Sequence, residues 1–135
     1  MSDWNKKVIE EFRANEGKVG GNFAKMKLLL LHTTGAKTGL ERINPLACMA
    51  DGERFVIIAS KGGAPTHPDW YYNTVANSSV SVEVGTEQFE AMATVAEEPE
   101  RTELYDKIAV INPFFDEYRQ KTTRTIPVIV LTRTA

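Results

Sequence analysis

The chain has 135 residues, 42% apolar and 25% charged, which predicts one globular domain with room for a sizeable core. A formal net charge of −2 argues against a general nucleic-acid binder, and the single cysteine, Cys48, excludes an internal disulfide framework and fits a reducing compartment. The longest unbroken apolar run, residues 28–31, is far too short to span a bilayer, and residues 1–12 lack the apolar core of a signal peptide, so a cytoplasmic location is expected.

Residues 3–14 predict a helix, because Trp4, Val8, Ile9 and Phe12 form one apolar stripe opposite Lys6, Lys7, Glu10, Glu11 and Arg13. Such a stripe ordinarily docks on its own domain. The alternatives are a lid over a pocket or a weak peripheral contact with the inner face of a membrane. Gly17, Gly20 and Gly21 predict a flexible link, so residues 1–20 read as a helix and linker leading into a single domain that spans residues 1–135.

Residues 27–47, KLLLLHTTGAKTGLERINPLA, predict a strand, a cationic turn and a second strand. Leu28 to Leu31 suit a strand buried on both faces, and Pro45 breaks the second strand or confines it to an edge. Thr33, Thr34, Gly35, Lys37, Thr38 and Gly39 supply the turn chemistry. Lys37 and Arg42 thus flank one loop mouth, backed by hydroxyls and backbone N–H groups. That arrangement suits a phosphate or a carboxylate. The plainer reading is that both are solvated turn residues. The loop also lacks two common phosphate signatures: Ala36 rather than Gly precedes Lys37, and no G-x-G-x-x-G follows a strand. The charge distribution favours an anion nonetheless. Residues 18–61 hold seven basic and three acidic side chains, whereas residues 83–117 hold ten acidic and two basic.

Asp51-Gly52 predicts a tight turn between strands at 45–50 and 55–59. The second of these ends at Ser60-Lys61-Gly62-Gly63, which delivers another hydroxyl and cation to a rim. Pro68-Asp69-Trp70-Tyr71-Tyr72-Asn73 opens a short helix ending near Asn77, with His67 placed to cap it. Residues 80–84 and 88–96 pair as a hairpin across Gly85-Thr86. Residues 99–111 form an acidic helix with Leu104, Ile108 and Ile111 on its apolar face. Pro113 interrupts it, residues 114–121 make a further short helix bearing Phe114, Phe115 and Tyr118, and residues 126–132 close the chain as a strand. Hairpins dominate, so the predicted fold is mainly β with helices (α+β): an antiparallel barrel of about six strands.

His32, Cys48 and His67 are too scattered for a transition-metal site. His32 suits a hydrogen-bonded structural role, and Cys48, between Ala47 and Met49, suits an inert buried thiol. Ser60 lacks the G-x-S-x-G setting of a hydrolase nucleophile, and the carboxylates of residues 97–106 fit a solvated helix face. With no obvious nucleophile, the reactive chemistry of an enzyme built on this chain would belong to a bound cofactor.

HTTGAKTGLERINPL, IIASKGGAPTHPDWYYN and TRTIPVIVL occur in that order, and from about residue 31 to residue 133 the chain resembles the deazaflavin (F420)-dependent nitroreductase and quinone reductase family. The resemblance implies a split β-barrel of the flavin-reductase kind, with Greek-key order, and coenzyme F420, an 8-hydroxy-5-deazaflavin with a phosphate and an oligoglutamate tail. It places the phosphate at Ala36, Lys37, Thr38 and Arg42. The strand beneath the cofactor is Ile43, Asn44, Pro45, Leu46 and Ala47. Ile58, Ala59, Ser60 and Lys61 lie along the ring, and Asp69, Trp70, Tyr71, Tyr72 and Asn73 complete the pocket.

Trp70, Phe115 and Tyr118 are the implied substrate-facing side chains, with Ser60 as the candidate catalytic hydrogen-bonding group. Asn112 and Phe115 lack the phenols that nitroreductase-active relatives carry in this segment, so nitroreduction is expected to be weak or absent and a planar quinone is the expected electron acceptor. The alternatives are an FMN oxidoreductase on the same barrel and a non-catalytic deazaflavin carrier. The expected assembly is a monomer or a weak homodimer.

Overall fold

The computed structural model describes residues 3–15 and 27–134, the side chains of residues 3–5 excepted. The Trp4 side chain of the predicted stripe is therefore not described, and the link of Gly17, Gly20 and Gly21 lies outside the described residues. Helix α1 (Asp3–Ala14) precedes the hairpin strands β1 (Leu28–Thr34), β2 (Glu41–Asp51) and β3 (Arg54–Ile58). A 3₁₀ turn (Lys61–Gly63) and helix α2 (Asp69–Ala76) lead to the hairpin β4 (Ser79–Val84) and β5 (Glu87–Val95). Helices α3 (Glu100–Ile111) and α4 (Phe114–Lys121) then return the chain to β6 (Val128–Arg133).

Among the described residues, six strands close into an antiparallel barrel in the order β1-β2-β3-β6-β5-β4. Strand β4 crosses to the free side of β1 after the β1–β2–β3 meander, which is the Greek-key order expected from the sequence. Leu30 marks the seam, lying opposite Pro45 on one side and Glu83 on the other. Pro45 does not break β2. Because β3 pairs with β2 only from Cys48 onward, residues 41–47 form a local edge where the missing N–H does no harm. Gly52 and Gly85 take φ of +63° and +59° at the two hairpin turns, where the tight reversals need a left-handed residue.

The unbroken apolar run of β1 follows from cover on both faces. Leu29 and Leu31 point into the barrel with Ile57, Val82, Ile129 and Leu131, whereas Leu28 and Leu30 lie outside it beneath α1. Strands β3 and β6 repeat this arrangement: Val56, Ile58, Val128 and Val130 pack outward against α3 and α4. Fully burying one such side chain stabilises the fold by about 1.5–3 kcal/mol.

Val8, Ile9 and Phe12 of α1 are buried against the barrel, so this apolar face is occupied by its own fold. Arg13 then reaches Glu83 with two hydrogen bonds, of 3.1 and 2.8 Å, and Glu83 also receives His32 Nε2. Among the described residues no helix is long and apolar enough to cross a membrane. In α3 the buried residues are Leu104, Tyr105 and Ile108, while Ile111, expected to be apolar and buried, is 60% exposed. Ile111 ends the helix just before the chain turns at Asn112 and Pro113. Tyr105 supplies the cover instead, its hydroxyl donating to the Phe115 carbonyl at 2.7 Å to join α3 to α4.

Candidate functional site

The β1–β2 turn, the start of α2 and the Lys61–Gly63 turn converge on a cavity of about 650 Å³. The β1–β2 turn is self-braced: Gly39 N–H donates to Gly35 O, and Gly35 N–H to Leu40 O. A methyl group at Gly35 would sit 2.7 Å from Thr38 Oγ1 and 3.2 Å from Leu40 O, so a side chain there would have to displace the Thr38 hydroxyl. Asn73, buried in α2, fastens the turn to the helix. Its Oδ1 accepts from Ala36 N–H at 2.9 Å, and its Nδ2 donates to Thr33 Oγ1 at 3.2 Å.

Lys37, Arg42 and Lys61 all line the cavity, and no described carboxylate forms an ion pair with any of them. Lys61 Nζ donates to Thr66 Oγ1, at 3.2 Å. Three cations around one concavity raise the local concentration of anions and leave donors free for a phosphate or carboxylate. Trp70 forms the floor: its side chain is 5% exposed, packed into the barrel core on one side and bordering the cavity on the other. Tyr72, half exposed, and Asp69 complete the α2 side, with Pro68 ahead of them.

The expected site residues divide accordingly. Ala36, Lys37, Thr38, Arg42, Asn44, Lys61, Asp69, Trp70, Tyr72 and Asn73 come together around the cavity. Within β2 only alternate residues can face one side, so Arg42 and Asn44 border it while Ile43 and Ala47 turn outward to α1. Pro45 is not among the lining residues, and Leu46 packs against the barrel interior. Ile58, Ala59 and Ser60 are buried and do not line the cavity; Ile58 serves the core beneath α3 and α4. Tyr71 packs on the barrel core and against His67, with ring centroids 4.7 Å apart.

Phe115 and Tyr118 also lie apart from the cavity. Phe115 is 4% exposed, enclosed by Tyr105, Phe114 and Tyr118, because α4 turns this face onto the outer surface of β3 and β6. Tyr118 flanks the Lys61–Gly63 turn, its carbonyl 2.9 Å from where a Cβ on Gly63 would lie. His67 does not cap α2, whose first turn has no side-chain cap. Its Nδ1 accepts from Arg124 at 2.8 Å, which leaves the ring proton on Nε2. Burial and the Arg124 charge hold His67 below the usual histidine range.

Arg124 had no role in the sequence reading beyond its place in TRTIPVIVL. It nonetheless donates to the carbonyls of Ala59, Ser60 and Ala64 as well as to His67. A lone arginine ahead of Ile-Pro carries no periodicity or spacing by which to find it. Cys48 is buried, and burial pushes its thiol up to about 12, which bears out the inert reading.

The sequence model of the F420H(2)-dependent quinone reductase family matches residues 4–133. An F420H(2)-dependent quinone reductase of Mycobacterium tuberculosis (strain ATCC 25618 / H37Rv) is 38% identical over 126 residues, covering 90% of this chain and 85% of its own. The solved structure of an F420-H2 dependent reductase (FDR-A) is 38% identical with a TM-score of 0.72, over 77% of this chain and 92% of that one. A second solved structure, described as a domain-swapped dimer, is 34% identical with a TM-score of 0.74, over 96% and 97% of the two chains.

Proposed function

The chain belongs to the F420H(2)-dependent quinone reductase family, and we propose that its cationic cavity binds reduced coenzyme F420 for hydride transfer to a planar, electron-poor acceptor such as a quinone. The observation that carries this reading is the meeting of Lys37, Arg42 and Lys61 around one cavity that Trp70 also lines, with no ion pair to any described carboxylate. The cations suit the phosphate and carboxylates of the cofactor, and the buried Trp70 gives the cavity an apolar border. A volume of about 650 Å³ accommodates a ring system with part of its charged handle.

When bound, the reduced deazaflavin supplies the hydride. The chain contributes placement. Lys37 and Arg42 would hold the negative handle by charge, and Asn44 and the buried Trp70, which line the same cavity, would border what binds there. Tyr72 lines this cavity, whereas Phe115 and Tyr118 do not, so its phenol is our candidate on α2 to donate the proton that an acceptor takes up with the hydride. The assembly we infer is a monomer or weak homodimer, and the relative described as a domain-swapped dimer favours the second.

Titration of the purified chain with oxidised F420 and, separately, FMN tests the cofactor, and steady-state oxidation of F420H2 by a panel of soluble quinones tests the reaction. We expect saturable deazaflavin binding and quinone-dependent turnover. Binding of FMN alone would replace the cofactor assignment, and deazaflavin binding without turnover would make the chain a carrier.

A further inference from the structure

Lys61 adopts φ of +48°, a left-handed conformation that residues other than glycine rarely take, in the turn that brings it to the border of the cavity, where its Nζ donates to Thr66 Oγ1. The turn has no side-chain cap of its own. It is held from outside, by a residue more than sixty positions later in the chain.

From the segment between α4 and β6, Arg124 Nη2 donates to Ala59 O at 3.2 Å and Ser60 O at 2.7 Å, and Nε donates to Ala64 O at 2.8 Å. These three carbonyls bracket Lys61 on both sides. Nη1 donates to His67 Nδ1 at 2.8 Å, just ahead of α2. One guanidinium thus fastens the whole connection from the end of β3 to the start of α2, whose residues border the cavity. No described carboxylate forms an ion pair with Arg124, so its charge is shared among four neutral acceptors within residues 59–67. A lysine has one ammonium and cannot reproduce that fork. Tyr118 O and Lys121 lie so close to Gly63 that a Cβ there would meet them at 2.9 and 3.1 Å, so the turn packs directly on α4.

We infer that Arg124 is a positioning residue: it fixes the left-handed turn that brings Lys61 to the bound cofactor's negative groups, an inference that rests on the deazaflavin-binding reading. A residue acting through Lys61 should matter to the ligand only while Lys61 is present.

The test is a double-mutant cycle on the full chain, with Arg124→Met, Lys61→Met and both together, read by titration with oxidised F420. We expect Arg124→Met to weaken affinity about tenfold in the presence of Lys61, the loss of one charge-assisted contact, and by less than about twofold in the Lys61→Met background. Melting temperature should fall alike in both backgrounds. Equal affinity losses in the two backgrounds, or no loss in either, would overturn the proposal. Wild-type protein that fails to take up the deazaflavin would defeat the cofactor reading. The role of Arg124 would then be decided without ligand, by backbone chemical shifts of Arg124→Met: departure of Lys61 from the left-handed region supports it, and retention overturns it. If Arg124→Met does not fold, Arg124→Lys is read in the same two ways.

Discussion

Asn73 holds Ala36: its Oδ1 accepts the Ala36 N–H at 2.9 Å while its Nδ2 donates to Thr33 Oγ1 at 3.2 Å, tying the cationic turn to α2. The asparagine therefore shapes the cavity through hydrogen bonds within the fold. Asn73→Ala should leave buried partners unsatisfied and lower the unfolding free energy by about 1–3 kcal/mol, measurable by urea denaturation. Asn73→Asp keeps the acceptor for Ala36 and should recover part of the loss. A neutral Asn73→Ala would mean that the turn is held by its own internal hydrogen bonds.

Glu83 joins α1 to the barrel by accepting from Arg13 and His32, and the Arg13 hydrogen bond leads in holding its carboxyl below the usual range. A carboxyl whose pKa is depressed by folding contributes stability that is present above its unfolded value, about 4.3, and is lost as pH falls through the folded value below it. Unfolding free energy should decline across that acidic window, and Glu83→Gln should flatten the decline. An unchanged slope in Glu83→Gln would show that other carboxylates dominate it.

Cys48 lies inside the barrel with its thiol pushed up to about 12 by burial. Native protein at pH 8 should resist iodoacetamide, and labelling should follow global unfolding in urea. Rapid labelling without denaturant would mean that β2 opens locally.

Much of this architecture was legible beforehand, for reasons that separate cleanly. The apolar run 28–31, the turn glycines at 52 and 85, and Pro68-Asp69 each report a local preference that the fold keeps, and β1 through β6 appear where those signals fall. The cations Lys37, Arg42 and Lys61 were also legible, because charge on loop rims survives folding unchanged in kind. Side-chain direction was not. Phe115 and Tyr118 are the side chains of this segment expected to face the substrate, yet the packing of α4 on β3 and β6 turns Phe115 into the core. Ile43 and Ala47 face α1 because a strand alternates, and Arg124 works through carbonyls distant in sequence, which no local pattern announces.

The burial of Phe115 predicts that its substitution acts on stability. Phe115→Ala should lower the unfolding free energy by about 3–5 kcal/mol, as expected when a large aromatic leaves a packed core. The folded fraction should retain its KM for a quinone. A raised KM with unchanged stability would return Phe115 to the substrate site.

The most direct measurement is the affinity of oxidised F420 for wild type and for the Lys37→Met/Arg42→Met double variant at low ionic strength, where screening is weakest. Two charge-assisted contacts removed together should weaken binding by roughly a hundredfold, with the difference shrinking as salt is added. Equal affinity in the two proteins would contradict the claim that the positive rim of the barrel holds the cofactor.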